Sequence, residues 1–484
     1  DVDLLDTYFS ATTKTLTNKT LTSPTVSGLY LSDSGFSVEG SSADSNETTV
    51  AFTNPSADRT ITFPNATGNV AVFATAPTTA ITDGSAGQFL KTDGSGSLSF
   101  AAAGADLYLA NASSATANTV TGANAIGIGS NNTASGESSL SFGVNATASA
   151  VGAFAAGRNT TASGADSFAF GSSAVSSGSN TLAIGSNTDA TGNSSVAIGN
   201  TAQSVGAYSV ALGQSYASGA NGFAAGIGDN TTSYGAKGNS SVAIGYHATG
   251  SGNYSIALGN SSATGISSVA IGGMQYGAAS ATGTASVCIG ANYALSNPSA
   301  AGAGSIALHD GSSTSSSAQN SIAIQGAATT IFGQFAFAGG ESGSTAQTSI
   351  HVLKRATTDA TASVLVANRI VANASPSTTN QIILRNESAM TFTGTVVVRE
   401  DASDGDDYAG WEIKGVIMRQ GQASDTTLGV GIVNDLYHTA GLANAAVALS
   451  ADTTNGGLKI QVTGIASTNL NWVATVHTSE VVNA

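Results

Sequence analysis

Charge is scarce in this chain. Of 484 residues, 14 are Lys or Arg and 29 are Asp or Glu, for a formal net charge of −15. Phosphate recognition needs clustered Lys and Arg, so nucleic-acid binding is excluded as a reading. The thinly spread acidity mainly aids solubility. There is one cysteine, Cys288, and therefore no disulfide framework. No apolar run of about 18 residues and no signal-peptide pattern is legible. The histidines are His247, His309, His351, His438 and His477, and no two lie within five residues of each other. Zinc-type spacing is thus missing. No Gly-rich phosphate loop stands out, because Gly-x-Gly patterns such as Gly127-Ile128-Gly129 recur with no helix after them. No cofactor is expected.

What is abundant is glycine, 59 residues, placed periodically. Short apolar strands close at Gly129, Gly143, Gly157, Gly171, Gly185, Gly199 and Gly213, six successive steps of 14 residues. The series continues through Gly226, Gly245, Gly259, Gly272, Gly290, His309 and Gln325. A second small residue, nearly always Gly, precedes each closing position by seven. A repeat this short means a solenoid. Periodic Val, Ile, Leu and Phe argue for order rather than disorder. About 14 coils at the ~4.8 Å strand spacing give a rod on the order of 65 Å long.

A typical unit is Ser195-Val196-Ala197-Ile198-Gly199. Alternate side chains of a strand share a face. Val196 and Ile198 are expected to fill the inside of the coil, with Ser195 and Ala197 outside. Cys288 takes the Ala position of such a unit and reads as a small packed residue. A 14-residue coil encloses a thin core and is marginal alone, so self-association is expected. The longer steps carry insertions, which map to loops on one face. Tyr234, Met274, Tyr276 and Tyr293 lie in or beside them. These tyrosines are candidate sugar-stacking contacts, with packing on the roll as the alternative.

Four regions follow: a β-rich attachment region over 1–101, the shaft over 102–330, a connector over 331–375, and an all-β domain over 376–484. In the first, Thr60, Ile61, Thr62 and Phe63 alternate as a short strand would. In the last, strands are expected over 381–385, 391–399, 411–419, 427–433, 445–450, 458–463 and 471–477. Thr453-Thr454-Asn455-Gly456-Gly457 signals a hairpin. Seven short strands at this spacing indicate a sandwich. Trp411 and Trp472 each continue an apolar alternation and read as core, with a sugar platform as the alternative. Asp404, Asp406 and Asp407 could ligate Ca²⁺, but the 12-residue loop with its closing Glu is missing, which favours a solvated loop. Glycoside hydrolysis needs two carboxylates about 5–10 Å apart. Between residues 122 and 325 the acidic residues are Glu137, Asp166, Asp189, Asp229 and Asp310, too sparse for an evident pair. No enzyme is expected.

The Ser-Val-Ala-Ile-Gly units at 195–199 and 241–245 resemble the head repeats of trimeric autotransporter adhesins, the YadA-like left-handed parallel β-roll. The resemblance covers about residues 122–325 and implies a homotrimer of parallel rolls. A heptad stalk and a terminal membrane barrel are not recognisable, which points away from a bacterial surface autotransporter. The flanks resemble a different group. Residues 19–28 (KTLTSPTVSG), 59–70 (RTITFPNATGNV), 83–97 (DGSAGQFLKTDGSGS) and 449–479 are similar to terminal segments of tail-fibre and other virion fibre proteins of marine phages. That resemblance implies a fibre on the particle exterior with a β-roll shaft. Its N-terminal end would meet other virion proteins and its distal end a host-surface glycan or protein. The alternatives are a head fibre or capsid decoration without its own receptor, a bacterial cell-surface trimeric adhesin, and a depolymerase.

Overall fold

The structure is a computed structural model. It describes residues 35–39, 47–51, 57, 60, 88–92, 98–102, 117–228, 232–272, 278–290, 297–309, 311–339, 346–367, 374–402 and 405–483. Strands dominate these residues, with two short 3-10 turns at Ala423–Asp425 and Ala440–Leu442. The chain divides into two compact units, 1–83 and 84–484. In the first, Gly35–Glu39 pairs antiparallel with Glu47–Ala51. The run expected over 60–63 lies outside the described residues apart from Thr60. In the second unit, Gln88–Thr92 forms a hairpin with Leu98–Ala102.

The shaft is a parallel solenoid. Each coil contributes one strand of three to five residues and one of two or three, and each kind stacks into its own sheet. The register is strict: Leu182, Val196 and Val210 lie side by side, as do Ala183, Ala197 and Ala211. On the second sheet Thr133, Thr147 and Thr161 align. The longer strands run from Ile126–Ser130 to Phe335–Ala338, the fifteenth coil.

The interior is the reverse of the sequence expectation. Ser195 and Ala197 are 0% exposed, whereas Val196 is half-buried and Ile198 is 37% exposed. The reason is width. A 14-residue coil holds its two sheets one small side chain apart, so Ala, Ser and Thr fill most of the space between them, with Ile227, in a longer coil, a fully buried exception. One column runs through Ala155, Ala169, Ala183, Ala197 and Ala211, and Ala148, Ala162 and Ala190 line the facing sheet. Cys288 occupies the same column, fully buried, and burial pushes its thiol pKa up to about 11. The Val, Ile, Leu and Phe residues at the first and third positions of the longer strands have no room inside and point out.

The turns show two devices. At Gly192 an added Cβ would run into the carbonyl oxygen of Gly206 on the next coil, so the coils could not stack at this spacing. Two residues after most corner glycines the backbone is left-handed, with Asn124, Asn131, Ser138 and Asn145 at φ between 54° and 56°. Asn tolerates that region by local hydrogen bonding. Here it also links coils: Asn131 Nδ2 donates to Asn145 Oδ1 at 2.8 Å, and Asn145 Nδ2 to Asn159 Oδ1 at 2.9 Å.

The 331–375 region is not a separate connector. Phe335–Ala338 pairs parallel with Ile322–Ile324 and so completes the last coil. It also pairs antiparallel with Ala346–Thr357. The shaft sheet therefore passes, strand by strand, into the C-terminal sheet: Ala346–Thr357, Leu470–Val482, Ser388–Glu400, Tyr408–Arg419, Thr427–His438. A second sheet places Gly457–Thr463 between Ala446–Asp452 on one edge and Ser363–Val364 and Ile382–Ile383 on the other. The two sheets enclose one core, with Ile413, Trp472 and Val476 against Ile382, Leu458 and Ile460. All seven expected strands are present, several of them longer than expected.

Where the shaft ends, Gln347 closes it. Its side chain accepts from Ala328 N–H at 2.9 Å and donates to Ala328 C=O at 3.0 Å. Ala328–Thr329 is the last strand of the second shaft sheet, so Gln347 supplies the partner that a sixteenth coil would have supplied. Solenoids need such capping at their ends.

Candidate functional site

Two columns of apolar side chains run along the outer face of the longer-strand sheet, because the first and third residues of each strand point outward. Ile126 and Phe142 are about half exposed, and Phe170, Ile198, Ile244 and Ile289 continue the series. Phe154 and Phe168 stack between coils at 4.5 Å with their planes 2° apart. Monomeric soluble proteins rarely expose contiguous apolar patches above a few hundred Å². The series runs along the fifteen coils of the shaft, interrupted at Ala156, which is buried.

The three longest insertions fall at one corner, between a longer strand and the following short one: after Ala225, after Ile271 and after Ile289; a shorter one, after Thr314, falls at the other corner. At the first of these, three rings stack. His247 lies 4.1 Å from Tyr234 and 3.8 Å from Tyr246, centroid to centroid. Tyr234 is half-buried against the shaft core, and Tyr246 is 52% exposed. The outer ring is thus held in place by the two beneath it. Tyr276, Tyr293 and Met274 lie outside the described residues.

The tryptophans take the core alternative, not the platform. Trp411 and Trp472 are buried and stack at 5.6 Å. Trp472 Nε1–H donates to Thr357 Oγ1 at 2.9 Å, so its polar edge is satisfied inside. The exposed aromatic pair of this domain is Tyr408 and Tyr437, 5.3 Å apart. Sequence reasoning missed it, although a signal existed. Tyr408 is an odd number of positions from Trp411, so in one strand the two must face opposite ways.

Of the acidic loop, Asp404 lies outside the described residues, Asp406 is exposed and Asp407 half-buried. Among the described residues, no group of three His, Cys, Asp or Glu side chains is placed to hold a metal ion. Asp452 accepts from Thr454 N–H, Asn455 N–H and Asn455 Nδ2, fixing the 453–456 turn. Burial opposes its ionisation, but these bonds prevail and hold its pKa below the usual value. His351 is fully enclosed, and burial lowers its pKa to about 3.

The shaft matches the YadA head domain repeat over residues 121–143, 134–160, 162–188, 190–215 and 236–262, less than half of the chain. No curated protein matches the chain. Among solved structures it is similar to tailspike protein gp49 of Acinetobacter baumannii bacteriophage Fri1, a capsular polysaccharide depolymerase. The identity is 8% over 74% of this chain and 70% of that one, with a TM-score of 0.20. It is also similar to the tailspike protein of A. baumannii phage AM24, at 9% identity over 76% and 68%, with a TM-score of 0.17. Likeness at that level carries no argument about function.

Proposed function

We propose that the chain is a non-enzymatic fibre of a phage particle that assembles as a homotrimer through the outer columns of its shaft and attaches the particle to a host surface. The carrying observation is the outward apolar stripe on a solenoid built of YadA head repeats. Covering it with two further copies would bury the branched side chains that the narrow interior excludes. The virion setting is supported by the resemblance of the flanking segments to marine phage fibre proteins. In that reading the N-terminal end joins other virion proteins, and the fibre belongs to the tail rather than decorating the head.

Host contact in such a fibre is multivalent, so each site can be weak. The insertion-bearing corner is the proposed contact face on the shaft, because loops of variable length need open space in any assembly. There Tyr246 over His247 offers a flat ring to the C–H face of a sugar. Tyr276 and Tyr293, on the neighbouring insertions in the sequence, belong to the same proposal.

The test is binding of the labelled chain to candidate host cells, alongside a truncation. A cut at 375 would leave Ala346–Thr357 without Leu470–Val482, the strand that pairs with it along its whole length, so the cut belongs after 339. Binding by the full chain that is lost after truncation assigns the contact to the C-terminal domain. Binding that survives truncation and is lost in Tyr246→Ala assigns it to the shaft. No binding to any susceptible host contradicts the attachment reading, and clearing of capsule by the purified chain contradicts the non-enzymatic one.

A further inference from the structure

The strand Thr427–His438 is the outer edge of the C-terminal sheet. It pairs with Tyr408–Arg419 on one side and, among the described residues, with no strand on the other. Such a row of free N–H and C=O groups is a template for another chain, and proteins usually blunt it with Lys, Pro, bulges or a short strand. This edge is 12 residues long and holds neither Lys nor Pro. Two register shifts occur, at Gly410/Trp411 and Val416/Ile417, and the stretch 430–434 between them is regular. The stretch is also apolar: Val430 and Ile432 are exposed, next to exposed Val416 and Met418 on the paired strand. The nearby charges neutralise each other, since Lys414 Nζ meets Glu412 Oε2 at 3.4 Å and Asn434 Nδ2 donates to the same oxygen at 2.7 Å.

We propose that this edge and the sheet face beside it are covered by the C-terminal domain of a second copy of this chain. Continuity identifies the occupant. The face is the same hydrogen-bonded sheet as the shaft columns, joined where Phe335 lies opposite Ile350 and Phe337 opposite Thr348. From there it runs through His477 and Thr393 to Lys414 and Ile432. A copy that covers the shaft columns in parallel brings its own C-terminal domain alongside this face. The proposal rests on the assembly reading above and extends it: the C-terminal domain locks the copies together at the end of the shaft instead of standing free.

The experiment is hydrogen–deuterium exchange on the full-length chain, with mass measured by light scattering on the same sample. It reads the amides of Thr427–His438 that point away from Tyr408–Arg419, in wild type and in Ile432→Lys. Ile432 is exposed in the single chain, so the charge does not disturb the monomer core. Fluorescence of Trp411 and Trp472 confirms that the domain stays folded. The expected result is a multimer in which these amides are slowed at least about 100-fold relative to an unstructured peptide, with that protection lost in Ile432→Lys. A wild-type multimer whose edge amides exchange freely overturns this proposal and leaves the shaft reading standing. Protection that survives Ile432→Lys also overturns it, because the chain's own fold would then be the shield. A monomer overturns both.

Discussion

His351 provides a test of the C-terminal core that can be worked through in numbers. It is buried on the strand Ala346–Thr357, with Nε2 3.4 Å from Thr478 Oγ1, and burial lowers its pKa from 6.5 to about 3. The folded domain therefore holds a neutral ring where the unfolded chain takes up a proton. Stability from this group is fully present above pH 6.5 and is lost as the pH falls toward 3. At pH 4.5 the two pKa values imply a loss of roughly 3 kcal/mol relative to pH 7.5, and at pH 5.5 roughly 1 kcal/mol. Both tryptophans lie in this core, so intrinsic fluorescence during guanidinium unfolding reports this domain without interference from the shaft. Other groups titrate in the same range, so the comparison is with His351→Gln, which carries no proton at any of these pH values. Wild type should lose roughly 3 kcal/mol more than the variant between pH 7.5 and 4.5. Equal losses would mean that His351 is hydrated or charged in the folded domain, and the packing of Ala346–Thr357 against the core would be refuted.

Three further outcomes are expected. Ala197→Leu forces a branched side chain into the one-residue-wide interior and should cost about 1–3 kcal/mol, read as a lower shaft melting temperature by circular dichroism. An Ala197→Leu shaft as stable as wild type would restore the opposite orientation. Gly192→Ala should prevent that coil from stacking at the native spacing, visible as a shaft transition lowered well below that of an exposed-loop Gly→Ala control. Gln347→Leu leaves the N–H and C=O of Ala328 unpaired at the shaft end and should cost about 1–3 kcal/mol, read as faster amide exchange in the last coils.

The solenoid was legible because its period is written in glycine positions that backbone geometry imposes. Which face points inward was not. Alternation puts Val196 and Ile198 together, but it cannot choose between inside and outside. The usual rule that branched residues go inside fails at these positions because the coil is too narrow. Ala346–Thr357 was missed for a related reason. Its buried positions include Gln347, Ser349 and His351 while Val352 is exposed, the reverse of an ordinary strand pattern. Gln347 is inside because it closes the shaft end, and Ser349 because it accepts from Gln347 Nε2 and Gln334 Nε2, each at 3.0 Å. The left-handed corners were legible in part, since Asn, Ser or Asp stands two residues after many corner glycines, although Thr201, Tyr208, His247, Tyr254 and Ala285 take the same conformation. Trp411 and Tyr408 separate by parity along a single strand, a rule that needs only residue numbers. The free edge at Thr427–His438 depends on which strands lie beside it, and long-range pairing of that kind leaves no local pattern.

The most direct test is the mass of the full-length chain in solution, by light scattering or sedimentation equilibrium. The proposed homotrimer predicts three times 47.2 kDa, retained at high salt because an apolar contact is not screened by salt. A stable, soluble monomer of 47.2 kDa would contradict it, because the outward Val, Ile and Phe side chains would then be facing water with nothing to cover them.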